Sequence, residues 1–390
     1  MESYNFILFL AVILLSTKLL GNISKKIHLP AVVGALIAGV ILGPSVLNFI
    51  SLEGDAGTFL EYTAEIGVIL LMFNAGLGTE MEELKENMLA SAVTALIGVL
   101  VPLIGGFLSY ALYFKTDFSN YNELLKAFFV GVVLTATSVS ITVETLREMG
   151  KLKGRVGTTI LGAAVIDDIL GVIILTVITS FKDPSVNAYS VGIKIILYFV
   201  FLVLIAFAIS KCIPYLEKHD HHRRSAIYSL VFAFTLSYIS ETFFGVADIT
   251  GAYFAGLMLC RSKVEPYVER RIEIPSYMFF SPVFFAAVGL KVQLGGMNIS
   301  TWIFSILLLI VAFLTKVIGC ALGARCCGFQ NKEALQIGIG MISRGEVALI
   351  VAQKGHQVGL LDHTLFAPII LVVIVTTILT PVLLKVSMQD

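Results

Sequence analysis

Residues 158–180 read TTILGAAVIDDILGVIILTVITS, an apolar run of membrane-spanning length with two adjacent aspartates, Asp167 and Asp168, near its centre. A helix over this run rises about 35 Å, enough to cross the hydrocarbon of a bilayer. A carboxylate at that depth costs roughly 3 kcal/mol even on lenient insertion scales. A second one beside it adds like-charge repulsion. Side chains placed at such expense are read as the working site.

The rest of the chain agrees with a membrane setting. Of 390 residues, 57% are hydrophobic and 14% charged, with a mean hydropathy of +0.92. Many membrane helices need that composition and a single soluble core does not. The expected class is an all-α polytopic membrane protein whose partner is the lipid bilayer. The 27 basic and 27 acidic residues cancel, so net charge offers nothing to nucleic acid. The start, Met1-Glu2, has no positive region, and Lys25 and Lys26 follow the first apolar stretch; this reads as a retained first helix rather than a signal peptide.

Thirteen apolar stretches of helical length appear, at about 4–22, 30–47, 57–78, 87–113, 124–149, 155–181, 190–215, 224–244, 246–261, 274–291, 299–325, 333–355 and 363–387. With the N-terminus outside, eighteen of the 27 basic residues fall on the cytoplasmic side and six outside, while Lys18, Lys316 and Arg344 lie within spans. This asymmetry fits thirteen helices in a plasma membrane with a cytoplasmic C-terminus. Cys212, Cys260, Cys326 and Cys327 then sit at cytoplasmic ends and Cys320 within a span, so no extracellular disulfide framework is expected. His219-Asp220-His221-His222 has the composition of a metal cluster, but Lys218, Arg223 and Arg224 flank it, and it reads as a solvated cytoplasmic loop.

The sequence also carries a faint internal repeat. Gly34-Ala35-Leu36-Ile37-Ala38-Gly39 in the second stretch recurs as Gly251-Ala252-Tyr253-Phe254-Ala255-Gly256 in the ninth. Phe73-Asn74-Ala75-Gly76-Leu77 in the third resembles Phe285-Ala286-Ala287-Val288-Gly289-Leu290 in the tenth. Val101-Pro102-Leu103-Ile104-Gly105 in the fourth aligns with Thr315-Lys316-Val317-Ile318-Gly319 in the eleventh. From Ser138 to Gly150 is the same length as from Ser343 to Gly355. Paired stretches are seven apart, an odd number, so the second copy is inserted upside down. That is the inverted-topology repeat of secondary transporters, with two six-helix halves joined by the seventh stretch.

In such folds the ion site lies where interrupted helices of the two halves cross, because a broken backbone exposes carbonyls and half-helix ends. The fifth stretch has a hydroxyl-rich centre, Thr135-Ala136-Thr137-Ser138-Val139-Ser140, poor in helix propensity and able to bond freed backbone groups. The twelfth has Gly338, Gly340 and Gly345 around Met341-Ile342-Ser343-Arg344-Gly345-Glu346. Such glycines also serve close packing, but Arg344 and Glu346 at mid-membrane point further. They neutralise the ends of a broken helix, pair with each other, or pair with the fifth stretch. Successive helical residues point about 100° apart, so Asp167 and Asp168 cannot both face one cavity. One can face an ion pathway while the other meets Lys316, near the centre of the eleventh stretch.

With these residues assembled, the chain resembles the NapA-type sodium/proton antiporters of the monovalent cation:proton antiporter-2 family, alongside the Kef-type potassium transporters. The adjacent aspartates, the mid-membrane lysine, the threonine-serine break and the segment GMISRGE carry the resemblance, which covers essentially the whole chain. It implies an NhaA/NapA-like fold and a homodimer. A scaffold is expected over 1–78 and 224–291, a core ion-transport domain over 87–181 and 299–387, and a linker helix over 190–215, with elevator-type alternating access. Carried over, Asp168 binds sodium or a proton, Asp167 pairs with Lys316, Thr137 and Ser138 offer oxygens, and Glu346 and Arg344 support the helix break. One departure stands out. Related chains often carry an acid directly after the Phe-x-x-Gly-Leu segment, whereas here Gly78-Thr79 precede Glu80.

The implied chemistry is competition. Sodium prefers hard oxygen ligands, and a proton on Asp168 removes both its charge and the site. If the Asp167–Lys316 pair also exchanges a proton, transport is electrogenic. Potassium/proton exchange uses the same logic, and a sodium-coupled organic solute symporter is a more distant alternative. No GxxxxGK[ST] phosphate loop occurs, so the expectation is a gradient-driven transporter of sodium and protons, not an enzyme, with no cofactor. No nucleotide-gating domain of the Kef type is expected after the thirteenth stretch.

Overall fold

The computed structural model describes residues 5–27, 29–182, 188–219, 223–291, 299–357, 359–361 and 363–388. Among them are helices and no strands. In chain order these are α1 (Asn5–Lys26), α2 (Ala31–Leu42), α3 (Gly54–Leu77), α4 (Met81–Tyr113), α5 (Tyr121–Thr135), α6 (Val139–Glu148), α7 (Arg155–Ser180) and α8 (Ala188–His219). There follow α9 (Arg223–Ile239), α10 (Asp248–Leu259), α11 (Glu265–Pro275), α12 (Ser281–Leu290), α13 (Ile299–Cys326), α14 (Asn331–Gly340), α15 (Glu346–Gln357) and α16 (His363–Met388). A π-helical turn, Ser240–Phe244, continues α9, and another, Ser276–Phe280, joins α11 to α12.

Counting α5–α6, α11–α12 and α14–α15 as one segment each, the sixteen helices give thirteen segments, one for each apolar stretch. Among the described residues, ten segments are long and apolar enough to cross a membrane, and α2 is a shorter apolar helix. The boundaries differ most where a helix starts with charged residues. α4 begins at Met81 rather than near 87, and α11 at Glu265 rather than near 274, because Glu82, Glu83, Glu265, Glu269 and Arg270 depress hydropathy without breaking a helix. Local signals fix several ends. Asn120 caps α5 by accepting from the Asn122 backbone N–H at 3.1 Å, and Gln330 and Glu333 form a reciprocal capping box on α14.

Packing sorts most helices into two sets. α4 packs on α5, α7 and α13, and α13 packs on α14 and α16. In the other set α3 packs on α10, α11 and α12, α2 on α1 and α12, and α9 on α10 and α11. α6 and α16 touch both sets, α6 through α2 and α3, and α8 reaches α7 and α10. In the second set the backbones themselves meet. A methyl added at Gly39 would lie 2.0 Å from the Ala286 carbonyl oxygen, and one at Gly256 2.2 Å from that of Phe73. Only glycine permits that approach. Facing outward are large apolar side chains, among them Leu89, Leu112, Val203, Phe207 and Ile310, as a lipid-facing surface requires.

The HDHH motif falls at the end of α8, and its residues 220–222 lie outside the described residues, as does the side chain of Cys212. Cys260, Cys320, Cys326 and Cys327 are free thiols.

Candidate functional site

The centre of the first set is built from two helices that stop. α5 ends at Thr135 and α6 begins at Val139, while α14 ends at Gly340 and α15 begins at Glu346. Each stop leaves backbone groups without helical partners, and the two interruptions satisfy one another. The Ser138 N–H donates to the Ser343 carbonyl at 2.7 Å, and the Ser343 hydroxyl donates to the Ser138 carbonyl at 3.2 Å. Thr142, one turn into α6, donates to the Gly340 carbonyl at 2.7 Å, capping the end of α14. A Cβ at Gly345 would lie 2.6 Å from the Ser138 hydroxyl oxygen, so the crossing has room for glycine alone.

α7 passes this crossing with Asp167 and Asp168, only 1% and 6% exposed. Lys316 arrives from α13, also fully buried. Its ammonium donates to Asp167 Oδ1 at 2.8 Å and to the Thr135 carbonyl, the last of α5, at 2.7 Å. A cation at a helix C-terminus is favourable for the dipole as well as for the hydrogen bond. The Thr137 hydroxyl lies beside the Asp167 carboxylate without a hydrogen bond of ordinary geometry. Asp168, the next residue, is turned about 100° from Asp167 around the helix.

Arg344 sits wholly buried in the second interruption. It donates to the carbonyls of Ile342 at 2.8 Å, Leu134 at 2.6 Å and Ala312 at 3.1 Å. Of the roles open to it from sequence, binding the freed carbonyls at the end of α5 is the one its contacts show. Thr377 of α16 donates in turn to the Arg344 carbonyl. Glu346 starts α15, but its side chain lies outside the described residues. Thus Asp167, Lys316, Thr137, Ser138 and Arg344 converge on one crossing, with Asp168 adjacent on α7. With all four ionised, the two aspartates balance Lys316 and Arg344.

Sequence reading missed a second polar group, at the far end of α6. Glu144, Arg147 and Glu148 fall at the close of the apolar stretch 124–149, yet Glu144 is only 3% exposed. Glu148 accepts from the backbone N–H groups of Ala31 and Val32, at 2.6 and 3.2 Å. Arg147 pairs with Glu273 at 2.7 Å. The available signal was spacing, since acids at i and i+4 share a helix face. Glu80 precedes α4 and takes no part in the crossing.

The pattern described as "Sodium/hydrogen exchanger, transmembrane" matches residues 10–388, nearly the whole chain. The chain belongs to this sodium/hydrogen exchanger family. Among relatives of the exchanger, the Na(+)/H(+)-K(+) antiporter GerN of Bacillus cereus is 41% identical over 387 residues, covering 98% of this chain and 96% of that one. The Na(+)/H(+) antiporter of Enterococcus hirae is 36% identical over 386 residues, covering 97% of each. The solved sodium proton antiporter MjNhaP1 of Methanocaldococcus jannaschii shares the fold, with a TM-score of 0.67 at 20% identity over 99% of this exchanger and 97% of that chain.

Proposed function

We propose that this exchanger is a secondary active antiporter that trades sodium or lithium for protons at one site centred on Asp168. One observation carries the reading. Lys316 is engaged by Asp167 and by the end of α5, and Asp168, the next residue of α7 and also buried, is the second carboxylate at the crossing and the one assigned here to the transported cation. Hydroxyls of Thr137 and Ser138 and the carbonyls freed by the interruptions are the hard oxygens sodium prefers. Sodium and a proton cannot occupy Asp168 together, so each displaces the other. A charged, empty carboxylate resists passage through a low-dielectric barrier, and loading by either cation removes that penalty. Proton exchange at the Asp167–Lys316 pair during the cycle makes transport electrogenic.

Alternating access follows if one helix set moves against the other. The moving set is α4–α7 with α13–α16, the static set α1–α3 with α9–α12, and α8 links them, in a homodimer with an outside N-terminus in the plasma membrane. Mutual packing within each set supports this division. Reciprocal glycine contacts support the inverted repeat. The second-stretch motif meets the tenth at Gly39 and Gly289, and its ninth-stretch counterpart meets the third at Gly256 and Gly76. Likewise Gly131 of α5 abuts the Leu103 carbonyl and Gly338 of α14 that of Val317, the residue aligned with Leu103.

Potassium, in place of sodium or beside it, is a second reading favoured by the name of the Bacillus cereus relative. Purified protein in liposomes with an internal pH dye, given sodium, lithium, potassium or choline in turn, tests both. Proton movement driven by sodium and lost in Asp168→Asn is the expected result. A response to potassium alone selects the second reading, and full activity in Asp168→Asn removes Asp168 from the site.

A further inference from the structure

The group at the end of α6 lies on the boundary between the two helix sets. Glu148 receives two hydrogen bonds from the N-terminus of α2, where Pro30 supplies no side-chain cap. The carboxylate thus does from another helix what an Asn or Asp cap does locally, and it meets the positive end of the α2 dipole. One residue away, Arg147 reaches Glu273 of α11. Both contacts join the half-helix that follows Ser138 and bears Thr142 to helices of the other set. A cavity of about 260 Å³ borders them, lined by Lys25, Glu144, Arg147, Glu148, Glu273 and Tyr277.

We propose that the end of α6 is an interdomain latch, in which Glu148 on the N-terminus of α2 and Arg147 on Glu273 hold the moving helices against the static ones until a cytoplasmic proton neutralises Glu148. The latch rests on the exchange reading above. Its chemistry is that of a charged acceptor. Protonation removes the charge that the α2 N-terminus attracts and gives up acceptor capacity, so the α6–α2 contact weakens. The groups facing Glu148 are Lys25 from α1, Glu144 and Arg147 on α6, Glu273 from α11, Tyr277 from the π-helical turn and Lys385 from α16. The cavity borders this cluster on the side that the proposed orientation makes cytoplasmic.

Everted vesicles, whose cytoplasmic face is outward, permit the test through initial rates of sodium-driven proton movement against outer pH at saturating sodium, where competition at Asp168 is overcome. Wild-type rates should fall as the outer pH rises and the latch closes. Glu148→Gln keeps the shape but not the charge, and should run about tenfold faster than wild type at the alkaline end, with a flattened profile. Arg147→Gln should also speed the alkaline limb, and the exchange Arg147→Glu with Glu273→Arg should restore the wild-type curve. Superimposed curves for wild type and Glu148→Gln, or a Glu148→Gln rate lowered at every pH, overturn the latch. A wild-type protein silent to every cation overturns the exchange reading itself, so the two failures are told apart.

Discussion

Replacing Lys316 by alanine should destabilise the protein far more than replacing it together with its partner. Lys316 is fully buried and makes two short contacts, to Asp167 Oδ1 at 2.8 Å and to the Thr135 carbonyl at 2.7 Å. Alanine keeps the helix but strands a buried carboxylate, at a cost of about 3–5 kcal/mol. The orphaned carbonyl adds about 1–3 kcal/mol. Taking roughly 5 kcal/mol in total, and an unfolding entropy that scales with 390 residues, Tm should fall by about 6 °C. The double variant Asp167→Asn with Lys316→Met removes both charges and retains volume, so most of that loss should return, because a buried pair replaced as a unit is often close to neutral. Thermal unfolding in one detergent compares Lys316→Ala with the wild type, and the wild type, Asp167→Asn, Lys316→Met and the double variant close the cycle. Lys316→Ala melting with the wild type, or a double variant no more stable than the single, would refute the claim that the pair organises the crossing.

The proposed competition at Asp168 predicts a pH dependence of definite sign. As pH falls through the range where Asp168 takes up a proton, the apparent KM for sodium should rise by up to about tenfold per pH unit, measured as sodium concentration curves at stepped pH. Gly345→Ala drives a methyl to within 2.6 Å of the Ser138 hydroxyl oxygen. Exchange should drop at least about tenfold with a loss of about 1–3 kcal/mol in stability, read by vesicle assay and melting. Gly256→Val forces α10 away from α3, where a Cβ would meet backbone at 2.2 Å. It should lower Tm by several degrees or abolish recovery of folded protein, whereas Gly192→Ala, which meets nothing within 4 Å, should leave Tm unchanged.

Hydropathy made the thirteen segments legible because lipid demands long apolar runs, and the same demand exposed Asp167, Asp168, Lys316 and Arg344 as anomalies. The angle between neighbouring helical positions predicted that a single aspartate would meet Lys316, and Asp167 is the one that does. Pattern reading left three roles open for Arg344, since choosing among them depends on which carbonyls lie within 3 Å in space. Glu144 and Glu148 were overlooked for the opposite reason. They close an apolar stretch, where charge is ordinary, and only the approach of α2 and α11, more than a hundred residues away in sequence, gives Glu148 and its neighbour Arg147 their partners.

The reciprocal bonds between Ser138 and Ser343, with Arg344 tying both interruptions to α13, join the two interruptions into a single cassette. On the proposed alternating-access reading its oxygens need not be rebuilt as the cassette moves, so affinity would belong to the cassette and speed to its surroundings. Bilayers of different acyl-chain length should therefore alter turnover, as the lipid seal around the moving helices stretches or thins, while leaving the half-saturating sodium concentration where it was.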